Sequence, residues 1–261
     1  MLRGRDYHIH TGHIGCGGNT ATVGQIYRRC EELGRTSIAI TDHLNRIDQV
    51  DQHKAIRADM EANTTHMEVF FGTELDVPPH NAPLPYNKII KENIGFQFAI
   101  GGVHGTHLET YDLSKLIDLQ HQGLCKTAAE PLIDVVVHPW WFSKHEFDQR
   151  GFPWFDDLSV VPQDIHLEFI RTAVANETAI EINAGAIYCN PAFSDRFKEQ
   201  YSDYIRLMLS EGAKLSVCSD AHSLAQLERT QVVEDILEDI GVPDDSLWHP
   251  TQARSMRILE W

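Results

Sequence analysis

Short apolar runs alternate with amphipathic stretches along most of the chain. Each run is rich in Val, Ile and Phe and is bounded by Gly or turn residues, which favours a β-strand. The runs lie at residues 6–10, 36–41, 67–72, 97–103, 134–138, 179–183 and 215–219. Between most of them, apolar residues return every three or four positions, as on the buried face of a helix. These helical stretches lie at residues 22–33, 48–62, 114–129, 164–176, 195–211 and 224–240.

This alternation of strand and helix indicates an α/β fold with a parallel sheet and crossover helices. The closed form of that architecture is a (β/α) barrel, whose active site lies at the carboxyl ends of the strands. Two longer stretches, 77–91 and 140–162, follow predicted strands, and we expect both to form walls or lids on that face. No linker, low-complexity tract or internal repeat interrupts the pattern, so we predict one domain over residues 1–261.

Composition and charge exclude several classes of protein. The 261 residues are 42% hydrophobic and 23% charged, as in an ordinary soluble globular chain. No apolar run reaches the roughly 18 residues that a membrane span needs. The N-terminus lacks a signal-peptide core and the five cysteines are scattered, so we expect a cytoplasmic protein without a disulfide framework. The net charge of −16 disfavours an extended nucleic-acid surface. A small anionic substrate is still possible, because bound divalent cations invert the local potential.

Side chains that bind metals or form hydrogen bonds follow every predicted strand. His8 and His10 are two residues apart in the first strand and would point to the same side. The later strands end at Asp42 and His43, Glu74, His104, His138, Glu181 and Asn183, and Asp220 and His222. Any one of them alone is more often a structural residue, and a terminal pair of histidines can be a surface segment or a tag remnant. Their recurrence on seven strands indicates a shared site.

Metal ions explain this recurrence best. Burying many ionisable groups at one end of a barrel is costly unless cations satisfy them. The chain has 15 histidines, the commonest type of metal ligand. Imidazoles and carboxylates without a cluster of thiolates favour a hydrolytic Zn, Mn or Fe centre over a structural zinc site.

The ordered motifs HxH, TDH, G-x-E, G-x-V-H, V-H-P, E-x-N and S-D-A-H resemble those of the PHP (polymerase and histidinol phosphatase) superfamily. The resemblance extends from His8 to His222, nearly the whole chain. It implies a distorted seven-stranded (β/α)7 TIM-like barrel with a two- or three-metal centre that hydrolyses phosphate esters. The independent count of seven strands agrees with that fold.

The resemblance also implies a set of ligands. His8 and His10 match the imidazoles of the first metal, completed by Glu74 and Asp220. Glu74 matches a carboxylate that bridges to a second metal, whose other ligands match His104 and His138. His43 and His222 match ligands of a third metal. The remaining position of that third site departs from the family pattern, because it holds Cys16. Cys16 could bind as a thiolate, His13 could reach the site through the pliable glycine-rich loop, or the centre could hold only two metals.

The implied reaction is hydrolysis of a small phosphomonoester by a metal-bridging hydroxide, with Glu74, His43 and Asp220 as catalytic residues. Histidinol phosphate and nucleotides are both candidate substrates. One alternative is a C–N hydrolase on a related barrel, although no lysine occupies a strand end to bridge metals. The other is a non-catalytic metal-binding module, although eight ligand positions are intact. The partner we expect is a small phosphorylated substrate. The sequence does not indicate how many copies of the chain assemble.

Several residues outside the ligand set have two interpretations. Arg46 and Lys144 could bind phosphate or be solvated surface charges. Trp140, Trp141 and Trp154 could stack on a substrate ring or pack in the core. Asp42 could orient His43, and Glu181 and Asn183 could orient other ligands or serve a structural role.

Overall fold

The computed structural model describes residues 3–80 and 83–257. Seven parallel strands form one sheet in the order β1 to β7, and the helices lie between them. The strands are β1 (Arg5–Ile9), β2 (Ser37–Ile40), β3 (Glu68–Asp76), β4 (Phe98–Gly102), β5 (Val135–Val136), β6 (Ala179–Asn183) and β7 (Leu215–Cys218). The segment after β7 pairs with the end of β1, where the His10 amide donates to the Ala221 carbonyl over 3.0 Å. The sheet is therefore a nearly closed barrel, which confirms the predicted fold.

The helices of the described chain are bounded as follows: α1 (Val23–Glu32), α2 (Val50–Ala62), α3 (Lys88–Ile94), α4 (Leu113–Ala129), α5 (Lys144–Arg150), α6 (Gln163–Ala175), α7 (Asp195–Ser210), α8 (Thr230–Ile240) and α9 (Arg254–Arg257). A π-helical turn follows β6 at Ala184–Tyr188, and a 3-10 helix precedes α8 at Leu224–Arg229. None of the helices in residues 3–80 and 83–257 is long and apolar enough to cross a membrane.

Two helices lie in or extend from the stretches 77–91 and 140–162, where the apolar spacing predicted no helix. Helix α3 begins within 77–91 because the Asn87 side chain accepts from the Ile90 amide. Helix α5 lies within 140–162 and is capped in the same way by Ser143, which accepts from the Glu146 amide. Both helices have only 7 residues, too few for the apolar spacing to repeat.

Two irregularities in the strands decide which side chains reach the site. The register between β1 and β2 shifts between Asp6 and Ile9, so β1 carries a bulge. Tyr7 packs edge-on against Phe70, with ring centroids 6.4 Å apart, while the next side chain, His8, extends into the polar end of the barrel. Strand β3 continues through Gly72, where an added Cβ would lie 2.9 Å from the Phe98 ring, and so delivers Glu74 to the same place.

The end of the barrel opposite the site is closed by the C-terminal segment. Trp248 packs against Tyr7 and Phe98, with ring centroids 5.9 and 5.4 Å apart. The buried Lys91 ammonium donates to Ser255 over 2.9 Å. Aromatic rings and a few paired polar groups thus close this end of the barrel, whereas the predicted metal ligands lie at the carboxyl ends of the strands.

Candidate metal centre

The Glu74 carboxylate, at the carboxyl end of β3, is the centre of the polar cluster. Its side chain is only 1% exposed. Five imidazoles surround its two oxygens. Oε1 lies 2.9 Å from His104 Nε2 and 3.2 Å from His138 Nε2. Oε2 lies 3.0 Å from His43 Nδ1, 3.2 Å from His8 Nε2 and 3.4 Å from His10 Nε2. The structure therefore brings the predicted bridging carboxylate against ligands predicted for all three metals.

Asp220 joins the first of these groups. Its Oδ1 lies 3.2 Å from His10 Nε2 and 3.6 Å from His8 Nε2. Its amide donates to the His8 carbonyl over 3.0 Å, which fixes the segment after β7 against β1. The side chains of His8, His10 and Asp220 together have the composition and spacing to hold one ion.

A second group lies on the other side of Glu74. His43, Glu74 and His104 offer ligand atoms within 4.8 Å of one another. His138 approaches the same carboxylate oxygen as His104. The sequence assigned His43 to the third metal only, whereas the structure places it between the second and third groups.

The third group contains Cys16 and excludes His13. Ligand atoms of His10, Cys16, His43 and His222 lie within 4.8 Å of one another. The His222 ring stacks on His10 with centroids 4.1 Å apart. His13 Nε2 instead lies 3.0 Å from an Asp59 carboxylate oxygen. Burial, reinforced by the nearby carboxylates, raises the pKa of the Cys16 thiol to about 12 in the metal-free protein.

Glu181 contacts two of the histidines. Its Oε1 lies 2.7 Å from His8 Nδ1, and its Oε2 accepts from the His138 amide over 2.7 Å. Asn183 donates to the same Oε2 over 2.9 Å and to Asp220 over 3.3 Å. An imidazole whose Nδ1 donates to a carboxylate presents Nε2 to a metal. Glu181 and Asn183 thus contact the predicted metal ligands, which is the arrangement that an orienting role requires.

Asp42 and Asp76 have roles that the sequence did not reveal. Both oxygens of Asp42 accept from the Thr11 amide, at 3.0 and 3.1 Å, so this carboxylate holds the backbone just after His10. Asp76, two residues beyond Glu74 on β3, lies 3.4 Å from His104 Nδ1. The only signal for Asp76 was its spacing from Glu74 along a strand.

The charges of the cluster suit divalent cations. Burial opposes ionisation of Glu74, but the imidazoles of His43, His8 and His104 outweigh it and hold the pKa of Glu74 well below its usual value. Despite burial, Glu74 and Asp76 raise the pKa of His104 to about 10. Burial lowers the pKa of His10 to about 3. Metal-free protein thus keeps its carboxylates ionised beside a mixture of charged and neutral imidazoles, and cations can replace the imidazole protons.

Unsatisfied atoms give a direct test of whether metal ions fit this cluster. Glu74 Oε2 and His43 Nδ1 are both buried and lie 3.0 Å apart, yet neither makes a hydrogen bond within the described residues. Buried polar atoms are normally satisfied, and an imidazole nitrogen and a carboxylate oxygen are both common metal ligands, so cations bound in the cluster would satisfy them. The residues therefore fit a metal centre.

A pocket of about 410 Å³ opens onto these ligands. Beyond the ligands themselves, its walls include Trp141, Asn190, Gln226 and Arg229. The Arg229 guanidinium forms no ion pair within the described part of the chain, and its Nη1 lies 3.2 Å from where a Cβ on Gly185 would be. Arg229 was missed by the sequence reasoning, since its only signal was its position seven residues after His222.

The cations and aromatic residues proposed from the sequence mostly lie elsewhere. Arg46 pairs with Asp48 on the surface, and Lys144 pairs with Asp148. Trp140 is buried and donates to Tyr204 over 3.4 Å. Trp154 donates to the Ala192 carbonyl and packs against Phe193. Of the three tryptophans, only Trp141 reaches the pocket, with its ring 5.1 Å from that of His138.

A family model of the PHP domain matches residues 6–185. The chain belongs to the PHP family. This match confirms the resemblance predicted from the strand-end motifs. A search of curated proteins gives no match to this PHP chain.

Solved structures that share the fold include two described as histidinol phosphatases. Histidinol phosphate phosphatase from Lactococcus lactis, complexed with zinc, L-histidinol and phosphate, is 14% identical with a TM-score of 0.63. The similarity covers 92% of this chain and 94% of that one. A Listeria monocytogenes protein provisionally described as a histidinol phosphatase is 11% identical with a TM-score of 0.59. That similarity covers 88% of this chain and 99% of that one.

The contacts of Glu181 lead to a testable prediction. In Glu181→Gln, the amide group would have to face a donor, either His8 Nδ1–H or the His138 amide. We expect metal affinity to fall about 10- to 100-fold, measured by competition with a chromophoric chelator. The exposed Glu199→Gln variant should bind metal as the unaltered protein does. Equal affinity in both variants would show that Glu181 does not orient the ligands.

Proposed function

We propose that this protein is a metal-dependent phosphatase that hydrolyses a small phosphomonoester. The observation that carries the proposal is the convergence of five imidazoles on Glu74 at the floor of an open pocket. Membership of the PHP family supports the reaction class. Two or three ions of Zn, Mn or Fe would be held by His8, His10, His43, Glu74, His104, His138, Asp220 and His222.

Bound divalent ions supply a nucleophile from water at neutral pH and neutralise charge on the phosphoryl oxygens. The side chains of the protein do the rest. Glu74 would contribute an oxygen to each of two ligand groups and so fix the distance between them. Glu181 would orient His8. Buried apolar side chains, among them Phe70, Ile100 and Val137, pack inside the barrel beneath them, and a site with little water strengthens the electrostatic interactions.

The phosphoester class is favoured over C–N bond hydrolysis by the charges in the pocket. The bridging position holds Glu74, and no lysine lines the pocket among the described residues. Arg229, in the pocket wall, offers a planar donor of the kind that binds phosphate oxygens. The L. lactis relative was solved with L-histidinol and phosphate, and an alcohol of that size suits a pocket of about 410 Å³.

The test is a comparison of substrate classes. Protein reconstituted separately with Zn, Mn and Fe is incubated with an aryl phosphate, histidinol phosphate, a nucleoside monophosphate, a phosphodiester and an N-acyl amino acid. We expect phosphate release from monoesters and little cleavage of the diester or amide. Cleavage of the amide alone would indicate a C–N hydrolase, and a metal-replete protein inactive on every ester would indicate a binding module.

Arg229 gives a sharper test of phosphate recognition. Charge-assisted hydrogen bonds contribute about 1.5–3 kcal/mol, so Arg229→Met should weaken kcat/KM for a phosphomonoester by about 10- to 150-fold. Metal content should not change, because Arg229 is not among the ligand groups. Arg46→Met, at an exposed arginine outside the pocket, is the control. An unchanged kcat/KM in Arg229→Met would remove Arg229 from the substrate site.

A further inference from the structure

The glycine-rich loop after β1 places a thiol at the third group of ligands. Cys16 lies with His10, His43 and His222, all offering ligand atoms within 4.8 Å of one another. Gly17, next along the chain, packs so closely on His222 that an added Cβ would lie 3.1 Å from the ring. The sulfur is therefore beside the imidazoles because the backbone itself lies against one of them.

The loop is anchored at both of its ends. Gly12 donates to the Ala21 carbonyl over 2.8 Å, which joins the two ends. The Asn19 amide group donates to the His10 carbonyl over 2.8 Å, and its oxygen accepts from the Ala21 amide. Gly17, with φ 60°, adopts the left-handed conformation that turns the chain inside these anchors. The hydrogen bonds at both ends of the loop thus fix the position of Cys16.

His13, the other residue of this loop that could bind a metal, already has a partner. Its Nε2 lies 3.0 Å from Asp59, whose side chain also accepts from the Val23 amide at the start of α1. Moving His13 to the site would leave that carboxylate with fewer partners. In contrast, His43 Nδ1 and the buried His10 Nδ1 make no hydrogen bond within the described residues.

We infer that Cys16, His43 and His222 hold a third metal ion through one thiolate and two imidazoles. On binding, the S–H bond breaks, the proton passes to solvent, and the sulfur electron pair forms the bond to the metal. Sulfur and imidazole ligands favour Zn²⁺ or Co²⁺ over Mn²⁺, which prefers oxygen. The inference rests on the metal centre of the proposed function. It adds that the third ion has a softer set of ligands than the other two ions, because one of its ligands is a thiolate.

Cobalt provides a signal for the sulfur bond that does not depend on activity. Metal-free protein is titrated with Co²⁺ while the near-ultraviolet absorption is recorded and bound cobalt is counted by elemental analysis. We expect three ions per chain and a sulfur-to-cobalt charge-transfer band. Cys16→Ser should lose the band and one ion. Cys16→Asp should keep the ion without the band, because a carboxylate can replace the thiolate as a ligand.

Two control variants separate this role from general effects. Cys125→Ser changes a half-buried cysteine that lies beside His121 outside the centre, and it should keep the band. His13→Ala should also keep both the band and three ions. Three cobalt ions without a band in the unaltered protein would overturn the inference, as would loss of the third ion in His13→Ala but not in Cys16→Ser. A protein with the band but no phosphatase activity would contradict the proposed function and leave the thiolate site standing.

Discussion

Glu74→Gln should abolish nearly all turnover and reduce the metal content of the protein. The two carboxylate oxygens face imidazoles of different ligand groups, so a substitution at Glu74 would disturb the binding of more than one ion. A neutral amide has one oxygen and offers donors where the cations would bind. Because bound metal contributes several kcal/mol of transition-state stabilisation, we expect kcat to fall at least about a thousandfold. The measurements are steady-state phosphate release and elemental analysis of the purified variant.

The matched control for Glu74 is on the same strand. Glu68 begins β3 at the opposite end of the barrel and pairs with His249. Glu68→Gln should keep the metal content and turnover of the unaltered protein. Full metal content and full activity in Glu74→Gln would mean that another group bridges the metals.

Removing the metals should abolish activity and lower thermal stability. Metal bound only by the folded state stabilises it by about 2.7 kcal/mol when its concentration is a hundred times Kd. For a chain of this size, that corresponds to a fall in Tm of about 5–10 °C on chelation. Phosphate release and thermal unfolding are measured before chelation, after chelation, and after Zn, Mn or Fe is returned.

Recovery on adding metal back is the control for chelation, since damage to the protein by the chelator would not reverse. Apo protein that keeps its turnover would show that the imidazole cluster acts without metal. An unchanged Tm combined with lost activity would mean that the metals needed for turnover are not bound by the ligands described above, because binding there must stabilise the folded state.

Strand ends were the part of the site most accessible from the sequence. Apolar runs bounded by polar residues are local features, and parallel strands of a barrel necessarily bring their carboxyl ends together. His104 and His138 therefore meet at Glu74 although they come from different strands. The family resemblance supplied the grouping, which the spacing alone did not.

Contacts between segments that are distant along the chain could not be predicted from such local patterns. The bulge in β1 depends on pairing with β2, so strict alternation of side chains did not reveal that Tyr7 and His8 both enter the barrel. Gly72 was interpreted as the end of a strand, but the missing Cβ lets β3 pass close to Phe98. Arg229 and Asp59 reach the site or its loop only through the three-dimensional packing of helices.

The most direct test of the central proposal is hydrolysis of a phosphomonoester in ¹⁸O-labelled water by metal-reconstituted protein. Mass spectrometry of the products shows which bond is cleaved and where the oxygen from water is found. Attack by water on phosphorus predicts one ¹⁸O atom in the released phosphate and none in the alcohol, with no reaction in the chelated protein. Label in the alcohol, or the absence of phosphate release from metal-replete protein, would contradict it.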